Sequence, residues 1–145
     1  MASCAAGTPR RRPSLNLEQR ARAYLACIEE AKAFDELASF FHPDIVLVEH
    51  PNRLVPDGKT RRLQEVRAAF EAGRKAVRAQ SYRVRSVLVA GSSVALEVDW
   101  EGKLAVPFGA LDAGDAMRCT SAMVLRFDEE GRILRQENYD CFAPF

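Results

Sequence analysis

Side chains able to do chemistry are sparse in this chain, and their spacing narrows the options. The two histidines, His42 and His50, have no cysteine or second histidine at metal-ligand spacing. Cys4, Cys27, Cys119 and Cys141 form no Cys-x-x-Cys pair, so no metal site is expected and the thiols read as reduced and mostly buried. The informative pattern lies near the C-terminus, where Gln136, Asn138 and Asp140 recur at every second position. On a strand such residues share one face. Polar groups facing the interior of a small domain need partners, water or a ligand. His50, ending an apolar stretch, suits proton transfer near neutral pH. Asp140 could orient that imidazole or share its proton, and Tyr24 could offer a hydroxyl.

These groups sit on a chain of 145 residues, which fits one domain with its own core. A net charge of +1 gives no electrostatic case for nucleic acid or anionic lipid, and no apolar run reaches membrane-spanning length. Residues 1–15 are small residues followed by Arg10, Arg11, Arg12 and Pro13, without the apolar stretch of a secretion signal. A disordered tail on a cytoplasmic protein is expected there, with the domain over residues 16–145.

The elements that must position the candidates follow from periodicity. Asn16 with Gln19 resembles a capping box, and Leu17, Ala21, Tyr24, Leu25 and Ile28 recur at helical spacing. Asp35 can cap a short second helix carrying Leu37, Phe40 and Phe41, closed by Pro43. The β-branched run within 44–50 predicts a strand. Thr60 can cap a third helix running to about Ala79, with Leu63, Val66, Phe70 and Val77 on its apolar side. From Ser81 onward the period is two, predicting strands near 82–90, 93–101, 116–128 and 132–142, with a long hairpin loop over 102–115. Three helices, an early strand and a meander make a segregated α+β layout.

Alternation sorts inside from outside. Val94, Leu96, Val98 and Trp100 share one face, against Glu97, Asp99 and Glu101. Tyr82, Val84 and Leu88 oppose Arg83 and Arg85, so outward arginines can pair with outward acids. Cys119, Ser121, Met123 and Leu125 share the inward parity of the next strand. In the last strand Leu134, Gln136, Asn138 and Asp140 form one set, and Ile133, Arg135, Glu137 and Tyr139 the other.

Several segments resemble the nuclear transport factor 2-like superfamily, which includes ketosteroid isomerases and SnoaL-like proteins. Phe41 to Pro51, ending Val-Glu-His-Pro, is similar to an isomerase segment ending Val-Glu-Asp-Pro. Leu96-Glu-Val-Asp-Trp-Glu-Gly102 resembles a strand ending Trp-Asn-Gly. Val124-Leu-Arg-Phe-Asp-Glu-Glu-Gly-Arg-Ile133 resembles Val-Met-Arg-Phe-Asp-Glu-His-Gly-Arg-Ile. The closing Asn138 to Phe145 is similar to the ending of many SnoaL-like proteins. The resemblance implies a cone-shaped α+β barrel, three helices on a strongly curved, mainly antiparallel sheet. It also implies homodimerisation through the outer sheet face. The isomerase's catalytic aspartate falls on His50, and its oxyanion-hole tyrosine most nearly on Tyr24. Its oxyanion-hole carboxylic acid, which donates a hydrogen bond while neutral, falls on Met123, whose thioether cannot donate. Limonene epoxide hydrolase-like enzymes are matched only by Glu97-Val-Asp99 with Asn138, without the arginine of their motif.

Residues and resemblance together give two expectations. The first is an acid/base enzyme, needing no cofactor, of isomerase, cyclase or dehydratase type. It would act on a small lipophilic polyketide-, terpenoid- or steroid-like molecule. His50 would move the proton, Tyr24 and Asn138 would stabilise the oxygen that gains charge, and Asp140 would orient His50. Gln136, Trp100, Met123, Val98, Leu96, Phe41 and Ser121 would line the pocket. The second is a ligand-binding or dimerising module without turnover, using an outer face that includes Val87, Val89, Val124, Ile133 and Tyr139. Neither reading calls for nucleic acid, membrane or metal.

Overall fold

The computed structural model describes residues 15–145. Of the expected tail, all but Leu15 lies outside them. The first helix, α1 (Leu17–Glu30), starts as its capping residues predict: Asn16 Oδ1 accepts the backbone N–H of Gln19 at 3.0 Å. Its inward stripe is Ala21, Tyr24 and Leu25, all buried. The second helix, α2 (Asp35–Ala38), is one turn long, and its cap differs from expectation. Glu36, not Asp35, reaches back to the backbone N–H groups of Lys32 and Ala33.

Strand β1 (Phe41–Glu49) begins three residues before the predicted strand and carries Pro43 on an exposed stretch, where no ladder bond is lost. A short β2 (Lys59–Arg61) takes up Thr60, so Arg62 rather than Thr60 precedes α3 (Leu63–Ala76). That helix ends three residues early because Val77 already opens the long strand β3 (Val77–Ala90). The meander is completed by β4 (Ser93–Leu104), β5 (Ala116–Phe127) and β6 (Ile133–Phe142).

The six strands form one sheet in the order β2-β1-β6-β5-β4-β3, antiparallel except for the β1–β6 pair. Helices α1 and α3 cover its inner face, and the core lies between them around Phe34, Ile45, Val94, Leu96, Val98, Leu125 and Ile133. This is the expected cone-type α+β arrangement.

Bulges bend the sheet, and two of them correct the predicted alternation. Arg85 is the extra residue between the pairs Val84–Val98 and Ser86–Glu97, so beyond it the parity inverts. Val87 therefore packs on the core while Leu88 is 70% exposed. Leu134 is likewise extra between Arg126–Arg135 and Phe127–Ile133. Ile133 turns inward and is fully buried, Leu134 turns out, and Gln136, Asn138 and Asp140 keep their inward direction. Val87, Val89 and Ile133 thus drop out of the expected outer face.

Candidate active site

A cavity of about 250 Å³ opens on the inner face of the sheet. Helix α1 contributes Tyr24 and Ile28 to it, and the loop after β1 contributes Leu54. From the sheet come Glu49, Tyr82, Trp100, the β5 set Cys119, Ser121 and Met123, and the β6 set Gln136, Asn138, Asp140 and Phe142. Apolar side chains and converging polar groups share this wall, which suits a small ligand with an apolar body and polar substituents.

The polar groups form an ordered chain. The buried Tyr24 hydroxyl donates to Gln136 Oε1 at 2.8 Å, and Gln136 Nε2 donates to Asn138 Oδ1 at 3.0 Å. Each bond fixes the orientation of the next amide, which leaves Asn138 Nδ2 as a donor without a partner among the described residues. Burial raises the Tyr24 pKa well above the usual phenol value, so its proton stays on the oxygen and the direction of the chain is set.

Asp140 is the ionisable centre of this wall. Its Oδ1 accepts from the Ser121 hydroxyl at 2.6 Å across the β5–β6 pair. Burial raises its pKa above the ordinary carboxylate range, the serine bond opposes that shift, and the nearby Glu49 carboxylate adds to it. Tyr82, also held protonated by burial and by the charge of Asp140, donates to no group among the described residues. Cys119 has its thiol pushed up to about 12 by burial, with Asp140 adding to it, which removes it as a nucleophile.

Trp100 forms the side wall, its indole N–H donating to Gln80 Oε1 at 2.9 Å. Gly102 makes that position possible, because a Cβ there would overlap the Trp100 ring. The loop between β4 and β5 does not line the cavity itself. It reaches the rim through Phe108, whose ring packs on Phe145, which in turn packs on Phe142.

His50 is outside the cavity. Residues 46 and 48 of β1 alternate with the inward Leu47 and Glu49, so the residue after Glu49 turns away. Its ring stacks on Tyr139 at 4.2 Å between centroids, and its Nε2 lies 3.1 Å from Glu137 Oε1. Asp140 therefore cannot orient it; Glu137 does, and Arg135 and then His50 hold the Glu137 carboxyl below its usual range. Tyr24, Asn138, Asp140, Gln136, Trp100, Met123 and Ser121 do line the cavity as expected. Leu96 and Val98 do not, being sealed in the core at 1% and 0% exposure, and Phe41 packs between Phe34 and Tyr24. Tyr82 and Glu49 were not singled out from the sequence. The alternation does place Tyr82 inward, whereas the continuous apolar run before Glu49 hides which of its faces is interior.

Among the described residues no group of three metal-type ligands occurs, and no helix is long and apolar enough to cross a membrane.

Known structures share this architecture. IdmH from Streptomyces antibioticus, a proposed polyketide cyclase, matches with a TM-score of 0.73 at 15% identity, over 87% of this chain and 92% of that one. AclR from Streptomyces galilaeus, a proposed hydroxylase, matches with a TM-score of 0.70 at 17% identity, over 86% and 74%. A limonene epoxide hydrolase-like enzyme of M. tuberculosis matches with a TM-score of 0.63 at 15% identity, over 88% and 82%. Likeness at this identity speaks for the fold alone. No curated protein matches the sequence. The model of the SnoaL-like domain, however, matches residues 21–136, the span that carries most of α1, the sheet as far as Gln136 in β6 and most of the cavity wall, with Asn138 and Asp140 just beyond it. On that match the chain belongs to the SnoaL-like domain family.

Proposed function

We propose that the chain is an acid/base enzyme, working without a cofactor in a cytoplasmic setting, on a small lipophilic carbonyl compound of polyketide, terpenoid or steroid type. The observation that carries this reading is the Asp140 carboxyl. It is half-buried, poised above the ordinary range, and set in the same wall as two uncommitted donors, Asn138 Nδ2 and the Tyr82 hydroxyl. A base poised toward the working pH combines the right protonation state with driving force. Ionised Asp140 takes a proton from the carbon next to the substrate carbonyl; the C–H electron pair becomes a C=C bond and the carbonyl π pair moves onto the oxygen as the enolate forms. Asn138 Nδ2 and Tyr82 donate to the oxygen as it gains charge. Protonated Asp140 then returns the proton to another carbon, which isomerises the substrate, or to a departing hydroxyl, which dehydrates it. Capture of a second carbonyl by the same enolate would be cyclisation.

Structures of the same fold described as a proposed polyketide cyclase and a proposed hydroxylase fit a small-molecule role for this cavity. The epoxide hydrolase reading loses its residues. Asp99 faces outward, bonded to Arg83 and Thr120, and cannot join Asn138. The chain's single tryptophan, Trp100, lies in the cavity wall, so quenching of its fluorescence by phenols, terpenoids or steroids tests occupancy directly. A screen with no saturable quenching would leave the reading without its site.

The outer sheet face supports a homodimer as a further part of this proposal. Leu88 and Tyr139 are exposed there, 70% and 45%, beside Val124 and a mosaic of arginines and acids. A monomer in size-exclusion chromatography with light scattering would exclude it.

A further inference from the structure

A second cavity of about 150 Å³ lies between α1, α3 and β1. Tyr24, Ile28, Glu49 and Asn138 line both this space and the main cavity, so the two meet along a shared wall. Apart from that wall its lining is apolar, Leu47 and Phe70 included, with one exception. The exception is Arg61, whose side chain is 14% exposed.

Arg61 donates to Glu49 and to no other group among the described residues. A guanidinium carries five N–H donors, so most of its capacity is unspent at an apolar wall. Apolar walls close up where they can, because empty space forfeits contacts. Here α3 has not closed up: Val66 is its buried residue, and the space beside Ala69 and Phe70 stays open. Room kept beside uncommitted donors is what a ligand subsite requires. The charge of Arg61 is already balanced by Glu49, so the pair favours a neutral acceptor oxygen. A carboxylate would bring a third charge against Glu49.

We propose that this side cavity is a second substrate subsite, taking a short apolar arm that ends in a ketone or ester carbonyl bound by Arg61, while the substrate's ring occupies the main cavity. The subsite rests on the reading of the main cavity as the ring site. Ala69, exposed on α3 and lining the side cavity, is the position from which it can be filled.

Isothermal titration of the full chain with three probes tests this: a naphthol, the same naphthol with a butanone arm, and the same naphthol with a butanoic acid arm. The butanone probe should bind at least about tenfold tighter than the naphthol, the scale of a hydrogen bond to a charged donor, and the acid should not. In Arg61→Met, and independently in Ala69→Phe, the ratio of butanone-probe to naphthol affinity should fall to about one. Should Arg61→Met not fold, Ala69→Phe alone decides. Naphthol binding with no advantage for the arm, or an advantage that survives in the variants, overturns the subsite alone. A tighter acid probe overturns the neutral acceptor. Binding of no probe overturns both subsite and ring site.

Discussion

Asp140 and Ser121 face each other across β6 and β5 on the cavity side of the sheet, and the serine hydroxyl donates to the carboxylate at 2.6 Å. The bond favours the ionised form while burial and Glu49 disfavour it, and burial dominates. A carboxyl whose folded-state pKa is raised contributes stability that is complete below the unfolded value. That contribution is lost as pH rises through the folded value. At neutral pH the charge on Asp140 therefore weighs against folding. Asp140→Asn keeps the acceptor for Ser121 and removes that charge. It should melt higher than wild type at pH 7, with the advantage shrinking to nothing as pH falls below about 4, near the unfolded carboxyl value. Parallel melting curves across pH check this, and equal curves at all pH would contradict it.

Tyr24 and Gln136 lie 112 residues apart in sequence and hold each other in the buried wall. Gln136→Leu strands the Tyr24 hydroxyl and should cost about 1–3 kcal/mol in urea unfolding. Adding Tyr24→Phe to that variant removes the stranded group and should recover part of the loss. A double-mutant cycle measures the coupling, and strict additivity would mean the bond contributes nothing.

Cys119 and Cys141 sit close on paired strands but in different surroundings, one buried and one exposed. With its thiol pushed up to about 12, Cys119 should react with iodoacetamide at pH 7.5 at least ~100-fold more slowly than Cys141. Peptide mapping after timed labelling gives both rates in one experiment.

Much of this was legible from the residues. The period-two run after Ser81, the Asn16 cap and the inward set Gln136, Asn138 and Asp140 gave fold and polar wall together, because alternation and capping are local properties. The bulges at Arg85 and Leu134 were not legible, since one extra residue in a strand leaves no mark on composition yet inverts every residue beyond it. His50 was misplaced for a related reason. Both parities of β1 from 45 to 48 are apolar, so only pairing with β6 decides that Glu49 looks in and His50 out. Tyr82 was placed inside but passed over, because nothing in sequence separates a core tyrosine from one whose hydroxyl is uncommitted.

The central claim is that Asp140 moves protons in this cavity and His50 does not. The direct measurement is exchange of the α-hydrogens of a bicyclic ketone such as tetralone in deuterated buffer, followed by NMR with wild type, Asp140→Asn and His50→Ala. Wild type should accelerate exchange saturably. Asp140→Asn should lose at least about 100-fold of that rate, the usual weight of a general base, and His50→Ala should stay within about twofold. Acceleration that survives in Asp140→Asn, or is lost in His50→Ala, would contradict the account.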